Sequence, residues 1–303
     1  MALYIHSLIT EMTTQLIINA LAPFCMYALL GQAFMTLYYS TRFFDLSQAA
    51  ILTLSAYFVF FFSRQLQFSV VQSVPLAIIC ATGMGMLSNL ALYGPLKKRG
   101  ASSMILMIAS LGLYIVLQNV ISMIWGDGTR SVRTGEVKAG REFFGAYITD
   151  IQVITIAVCL ALFTGCVLLM KHSRIGRNIR AVASNPELSN VVGISSDRVI
   201  LWAFGIGSAL AAVAGILIAF DTDMRPTMGF SWLLYGVVAM IIGGVGSNWG
   251  LVGGALLLAT AQHLAAYYIG SQWMDAVAYI FLIAFLIARP LGFSGKRLKK
   301  VEI

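Results

Sequence analysis

The run FFDLSQAA, Phe43 to Ala50, places a carboxylate, a hydroxyl and a carboxamide within four residues, with apolar sequence on both sides. Asp45 brings a negative charge, Ser47 a donor and acceptor, and Gln48 both amide functions. Ionisable groups at membrane depth are costly, and they mark a solute or ion path unless a partner neutralises them. Two readings follow. Asp45, Ser47 and Gln48 line a substrate pathway, the last two offering uncharged hydrogen bonds, or Asp45 pairs with Arg42 at the membrane edge. A second unusual run, IIGGVGSNWGLVGG, Ile241 to Gly254, holds six glycines around Ser247, Asn248 and Trp249. Gly246/Gly250 and Gly250/Gly254 have the spacing that lets helices approach closely, so helix packing plus a tight turn accounts for it. The sharper alternative is a broken element lining the pathway, with Gly243, Gly244 and Gly246 at its bend.

Chemistry of the bond-breaking kind has no visible apparatus. No acid pair, Ser/His/Asp set or His/Cys cluster occurs, so no catalytic residue and no metal site is expected, and the chain does not read as an enzyme. His263, beside Gln262 in an apolar run, reads as a packing residue, and Gln118 and Asn119 are predicted to bond to a neighbouring helix. Cys25, Cys80, Cys159 and Cys166 all lie in apolar stretches and read as small hydrophobes rather than disulfides. The phosphate-loop pattern GxxxxGK[ST] is absent, and GFSGK at Gly292 to Lys296 is too compressed to replace it. No cofactor is expected on this chain.

The elements that must position these groups follow from composition. The 303 residues are 59% hydrophobic and 11% charged, far below the roughly one quarter charged of a soluble domain. Apolar segments near 16–40, 44–63, 74–94, 102–125, 147–170, 199–220, 230–247, 250–269 and 274–290 predict nine membrane spans, or eight if a weak one does not cross. The fold class is therefore all-α, a polytopic transmembrane bundle, with residues 1–303 as a single domain. The amino terminus has no basic stretch before its first apolar run, which predicts no cleaved signal peptide.

Charge sets the orientation. Arg42, Lys97, Lys98, Arg99, the 171–198 segment and the tail from Arg289 fall on one side and hold 14 of the 20 Lys and Arg. The other side has Arg64, the 126–146 loop and Arg225. Short loops rich in Lys and Arg stay in the cytoplasm, so the first set is expected inside, with the amino terminus outside and the carboxyl terminus inside. The net charge of +8 reads as this signal plus contact with anionic membrane lipid, not as a nucleic-acid surface.

The largest inner loop carries its own punctuation. In KHSRIGRNIRAVASNPELSNVVGISSDR, Lys171 to Arg198, Asn185 suits an N-cap, Pro186 the first helical position and Glu187 the positive end of the dipole. Gly193 suits the left-handed exit. A helix over 186–192 is too short to stand alone and implies a partner surface. Arg174, Arg177 and Arg180 beside it suit acidic groups on that partner or, equally, lipid phosphate. On the outer side, the 126–146 loop mixes Asp127, Arg130, Arg133, Glu136, Lys138, Arg141 and Glu142, either simply solvated or a docking face for a soluble protein.

RAVASNPELSNVVGISSDRVI, Arg180 to Ile200, resembles the cytoplasmic coupling loop of bacterial ABC-importer permeases of the branched-chain amino-acid (LivH-type) family, with Arg180, Ala181, Gly193 and Ile194 matching its pattern. The likeness continues through LYGPLKKRGASSMILMIASLGLYIVLQNVISMIWG, MGFSWLLYGVVAMIIGGVGSNWGLVGGALL and the ending ARPLGFSGK. The resemblance implies a transport subunit of the bacterial inner membrane, coupled through Arg180, Ala181, Asn185, Pro186, Glu187, Gly193 and Ile194 to separate cytoplasmic ATPase subunits. Those subunits would carry ATP and Mg. It also implies a second permease, as a heterodimer more than a homodimer, and an extracytoplasmic solute-binding protein. One departure stands out. Where the family reads Asn-Phe-Ala-His-Gly, this chain has Asp45, Leu46, Ser47, Gln48 and Ala49, which leaves the solute open among branched-chain and other amino acids, short amides and urea. A sugar- or nucleoside-type ABC permease, or an ion-coupled secondary transporter, is the rival; the latter would carry more acids in its spans.

Overall fold

The computed structural model describes residues 2–133, 140–143, 146–289 and 292–294, with the side chains of 2–13 and 142–146 excepted. Each of the nine predicted apolar segments carries a helix. The long ones are α1 (Ala2–Thr41), α3 (Val70–Ser88), α5 (Ser103–Trp125), α6 (Asp150–His172), α9 (Ser196–Asp221) and α11 (Asn248–Tyr268). α12 (Met274–Ala288) joins them through a 3₁₀ turn, which makes seven helical stretches long and apolar enough to cross a membrane. The other two are short: α2 (Gln48–Phe60) has 13 residues and α10 (Met228–Gly243) has 16. A π-helical turn over Phe61–Gln65 lengthens α2. A second π-turn, Asn89–Tyr93, links α3 to the stub α4 (Gly94–Lys98). The 171–198 segment folds into α7 (Arg174–Ser184) and α8 (Pro186–Val191). The one sheet among the described residues is a ribbon in the outer loop, β1 (Arg141–Phe143) antiparallel to β2 (Ala146–Ile148), with Arg141 opposite Ile148.

Two pillars organise the bundle. α9 packs against α1, α2 and α3, while α1 also meets α6, α10 and α11. The apolar window of α9 is 78% buried and that of α6 only 17%, although α6 is the more hydrophobic by mean hydropathy. Lipid tails are as apolar as leucine, so hydrophobicity places a helix in the membrane without saying which face meets protein. Small residues decide that instead. A Cβ on Gly215 of α9 would sit 2.1 Å from the Leu52 carbonyl of α2, and one on Gly243 would sit 2.2 Å from the Gly250 carbonyl. Only glycine lets these backbones touch.

The two ends of the bundle gather the two predicted charge sets. At one end the Arg42 guanidinium donates to the Ala183 carbonyl, and the turn at Gly244 is covered by Gly292 to Ser294, with Ser294 N donating to Gly243 O at 3.1 Å. At the other, Arg64 donates to the Arg133 carbonyl and Arg225 Nε to Thr129 Oγ1 at 3.1 Å, while Arg130 and Met224 form an antiparallel bridge. Gln15 of α1 bonds both the N–H and the carbonyl of Tyr147 there. Of the outer-loop charges, Arg141 pairs with Asp150 at 2.9 Å. Glu136 and Lys138, the Glu142 side chain, Pro290 and the basic tail with Lys296 lie outside the described residues.

Candidate functional site

The short helix of the 171–198 segment is built as its punctuation predicts. Asn185 Oδ1 accepts from Glu187 N and Leu188 N, both at 3.0 Å, and Pro186 occupies the first turn. At the far end Gly193 takes φ +86°, and its N–H donates to Asn190 O at 3.1 Å while Ile194 N donates to Ser189 O at 2.9 Å. That pair of bonds is the Schellman closure, which satisfies carbonyls a helix end would otherwise leave open. Ile194 tucks its side chain against the cluster of Ile179, Val182 and Ile200 below.

α8 is bolted to the pillar behind it. Ser196 N donates to Asn190 Oδ1 and Ser196 Oγ to the Pro186 carbonyl, each at 3.0 Å. α7 contributes a buried face of Ile179, Val182 and Ala183 and turns Arg174, Arg177 and Arg180 outward. Gly176 lets α7 cross the end of α6, since a Cβ there would lie 2.4 Å from the Met170 carbonyl. Arg177 and Arg180 donate to the His172 and Lys171 carbonyls, which favours those last carbonyls of α6 electrostatically. Arg180 and Ala181 therefore belong to α7, one helix before the short α8 that carries Pro186 and Glu187.

What the residue-by-residue reading missed is the apolar surface of α8. Leu188, Val191 and Val192 are 63%, 82% and 73% exposed. They stand at i, i+3 and i+4, one stripe of a helix, and that spacing was legible in the sequence. Left uncovered by the described residues, such a stripe has the character of an exposed interaction patch.

The Asp45 segment has the opposite character. Asp45, Ser47 and Gln48 are 0%, 0% and 2% exposed. One carboxylate oxygen of Asp45 accepts from Ser47 N at 3.0 Å, Ser47 Oγ at 2.6 Å and Tyr93 Oη at 2.8 Å; the other accepts from Gln48 Nε2 at 3.2 Å. Gln48 Oε1 in turn accepts from Ser208 Oγ of α9 at 3.3 Å. Ser110 of α5 closes the corner, accepting from Leu46 N and donating to the Phe44 carbonyl. Tyr93, Ser208 and Ser110 were not legible as members. Tyr93 is aimed inward by the π-turn, a device that re-aims one side chain within a helix.

The pairing of Asp45 with Arg42 does not occur. Arg42 reaches the Ala183 carbonyl and lies over the Tyr39 ring, and Asp45 is held by neutral donors alone. Nor does Asn119 bond to a neighbouring helix: its amide donates to Ile115 O of its own helix at 2.7 Å, in an exposed position. The predicted pathway residues separate in space. Gly243 packs on Gly250, Gly244 (φ +95°) on Gly292, and Gly246 (φ +93°) against Tyr39. Gly246 borders a hollow at the end of the bundle that carries Lys171, while Asp45, Ser47 and Gln48 are closed off within the chain. His263 bonds to the Ala259 carbonyl of its own helix, and the four cysteines are free. Among the described residues no three His, Cys, Asp or Glu side chains converge as a metal site would require.

The short capped helix α8 is thus pinned to α9 and leaves an apolar stripe outward. The family model for the branched-chain amino acid transport system permease component matches residues 16–286. The chain belongs to this family. Among its relatives, the high-affinity branched-chain amino acid transport permease LivH of Salmonella typhimurium is 33% identical over 73% of this chain and 72% of its own. BraD of Pseudomonas aeruginosa, named for the same transport, is 30% identical over 93% of this chain and 95% of its own. The ribose import permease RbsC of Haemophilus influenzae is more distant, 27% identical over 61% and 60%. The protein is thus a multi-pass membrane permease component, and the family places it among transport subunits rather than enzymes.

Proposed function

We propose that this chain is the membrane-spanning subunit of an ABC importer for branched-chain amino acids, driven by ATP and Mg on separate cytoplasmic ATPase subunits. It takes its solute from an extracytoplasmic binding protein. The single observation that carries this reading is α8, with Leu188, Val191 and Val192 exposed and its base locked onto α9. An ATPase groove that covers the stripe gains apolar burial, and Arg174, Arg177 and Arg180 add charge at its rim. When the ATPases close, the push enters α9 at Ser196. The same helix holds Ser208, which bonds to Gln48 of the Asp45 knot, so rotation of α9 is felt where α1 turns into α2. Rigid-body movement of packed helices about such fixed points is how alternating access works.

The 171–198 segment accordingly faces the cytoplasm of a bacterial inner membrane, with the carboxyl terminus on the same side. A second permease, a related chain forming a heterodimer, covers α5. That helix packs chiefly on α2, with Ser110 at the α1–α2 corner and Tyr114 against Phe230 of α10, and exposes Asn119 within an otherwise apolar face, a polar group that lipid disfavours. The pathway then runs between the subunits, with the Asp45 corner as its inner support, and Gly243, Gly244 and Gly246 close its cytoplasmic end.

Co-expression with the ATPase subunits, the second permease and the binding protein tests this. The expected result is a stable complex whose ATP hydrolysis rises with leucine-loaded binding protein, and uptake of leucine, isoleucine or valine into proteoliposomes. Gradient-driven uptake by the purified chain alone would overturn the reading. So would labelling that places Lys171 to Arg198 outside the cell.

A further inference from the structure

Two adjoining hollows, about 310 Å³ and 650 Å³, open between α1, α6 and the turn from α10 to α11, on the end of the bundle that carries α7. They share Tyr39, Val167, Lys171, Gly246 and Asn248. The smaller one runs inward from Lys171 and Arg180 past Met35 and Val167 to Gln32. The larger one continues along Phe163, Leu168 and Val252, with Trp249 at its rim, 88% exposed. Among the described residues no Asp or Glu lines either hollow.

Gln32 is the telling residue. It is 2% exposed and lines the smaller hollow, its Nε2 lies 3.7 Å from Cys166 Sγ, and its buried Oε1 has no hydrogen-bond partner among the described residues. A buried amide oxygen left without a donor costs stability, so this one is placed for a donor arriving from the hollow. The occupant must then combine three features. It needs an anionic group for Lys171 and Arg180, a hydroxyl that can reach Gln32, and an apolar body that lies along α6.

We propose that the groove is a binding site for an inner-leaflet anionic phospholipid with a hydroxylated headgroup, of the phosphatidylglycerol class. Its phosphate sits between Lys171 and Arg180, and its headgroup hydroxyl donates to Gln32 Oε1. An acyl chain follows Phe163, Leu168 and Val252, while Trp249 holds the headgroup level as interfacial indoles do. The lipid bridges α1, α6, α7 and the α10–α11 turn. It ties the platform beneath α8 to the helices behind it without touching the Asp45 knot. The assignment is independent of the solute, but it shares Arg180 with the proposed ATPase rim and rests on that reading for the leaflet.

Native mass spectrometry and thermal melting of the full chain in detergent, titrated with defined lipids, test it. Phosphatidylglycerol is expected to stay bound and raise the melting temperature, and phosphatidylcholine, with no net charge and no headgroup donor, to do neither. Lys171→Gln should weaken phosphatidylglycerol binding about fivefold, the value of one basic residue at an anionic lipid surface. Gln32→Leu should weaken it while leaving melting without lipid unchanged or higher, because the orphan acceptor is gone. Equal binding of phosphatidylcholine would overturn the site, and so would unchanged phosphatidylglycerol affinity in both variants. Stabilisation by glycerol phosphate or inorganic phosphate as strong as that by the lipid would show a soluble-anion pocket instead.

Discussion

Two regions of this chain break the burial rule in opposite senses. The inner loop, which hydropathy assigns to water, turns Leu188, Val191 and Val192 outward. The corner between α1 and α2, which hydropathy assigns to the membrane, encloses Asp45, Ser47 and Gln48 completely. In the corner every violation is answered inside the chain, by Tyr93, Ser208 and mutual hydrogen bonds. On α8 nothing among the described residues answers it. A misplaced group satisfied at home is a structural device, and one left unsatisfied marks a partner that arrives from elsewhere. The comparison thus separates support from contact without any appeal to residue type.

The largest effect that could break this division is at the corner. Asp45→Leu leaves the Ser47 hydroxyl and N–H and the Gln48 amide without their acceptor, and Tyr93 with Ser47 Oγ alone. At about 1–3 kcal/mol for each unsatisfied buried group, little folded protein should survive, and melting in detergent would report it. Asp45→Asn keeps one oxygen for Ser47 and Tyr93 and should retain much of the stability. If Asp45→Leu melted like the parent chain but lost uptake, the corner would be a contact with solute and the contrast with α8 would fail.

The next effect is on α8. Leu188→Asp combined with Val191→Asp changes two exposed side chains, so insertion and melting should hold. Losing one well-placed apolar contact at an interface centre costs about 2 kcal/mol or more, roughly a thirtyfold loss of ATPase association per residue, and uptake should fall with it. A fall in melting temperature instead would mean that the stripe is covered within the chain. Gly193 offers a graded version. At φ +86°, Gly193→Ala costs about 1–2 kcal/mol, and Gly193→Pro cannot adopt the turn at all. Pro should uncouple hydrolysis from uptake while insertion persists, with Ala between it and the parent. Transport by the Pro variant at the parental rate would remove α8 from the coupling path.

How much of this could be read beforehand depended on sequence distance. The cap, first turn and closure of α8 lie within nine residues, Asn185 to Gly193, and local chemistry named each of them. The nine helices were legible because lipid demands long apolar runs. Their arrangement was not: α6 and α9 look alike to lipid, and only the glycine contacts distinguish surface from pillar. The Asp45 knot was half legible. Its three local members were visible, but Tyr93 enters from 48 residues away through a π-turn, and Ser208 bonds to Gln48 across 160 residues. The Asp45–Arg42 pair failed for a geometric reason. Arg42 turns left-handed after α1, with φ +61°, and its guanidinium goes to the end of α7. Among the glycines of 241–254, Gly243 and Gly250 bring α10 and α11 backbone to backbone, a contact that helical spacing alone hinted at.

The smallest predicted effect sharpens the comparison most finely. Asn185→Ala removes an N-cap that accepts two backbone N–H groups, a loss of about 1 kcal/mol. α8 has only six residues, so the loss falls on a helix that cannot hold its shape by length. Ser196 would still pin Asn190 and Pro186 from below, and global melting should move by no more than a degree or two. Hydrogen exchange at Glu187 and Leu188 should nevertheless quicken about fivefold, because those are the amides the cap protects. Asn185→Asp, which restores an acceptor, should return them to the parental rate. Faster exchange spreading into α9 would show the handle and the pillar to be one cooperative unit. Exchange confined to α8 would show a handle that loosens by itself, so that an ATPase meets a helix whose order its own binding completes.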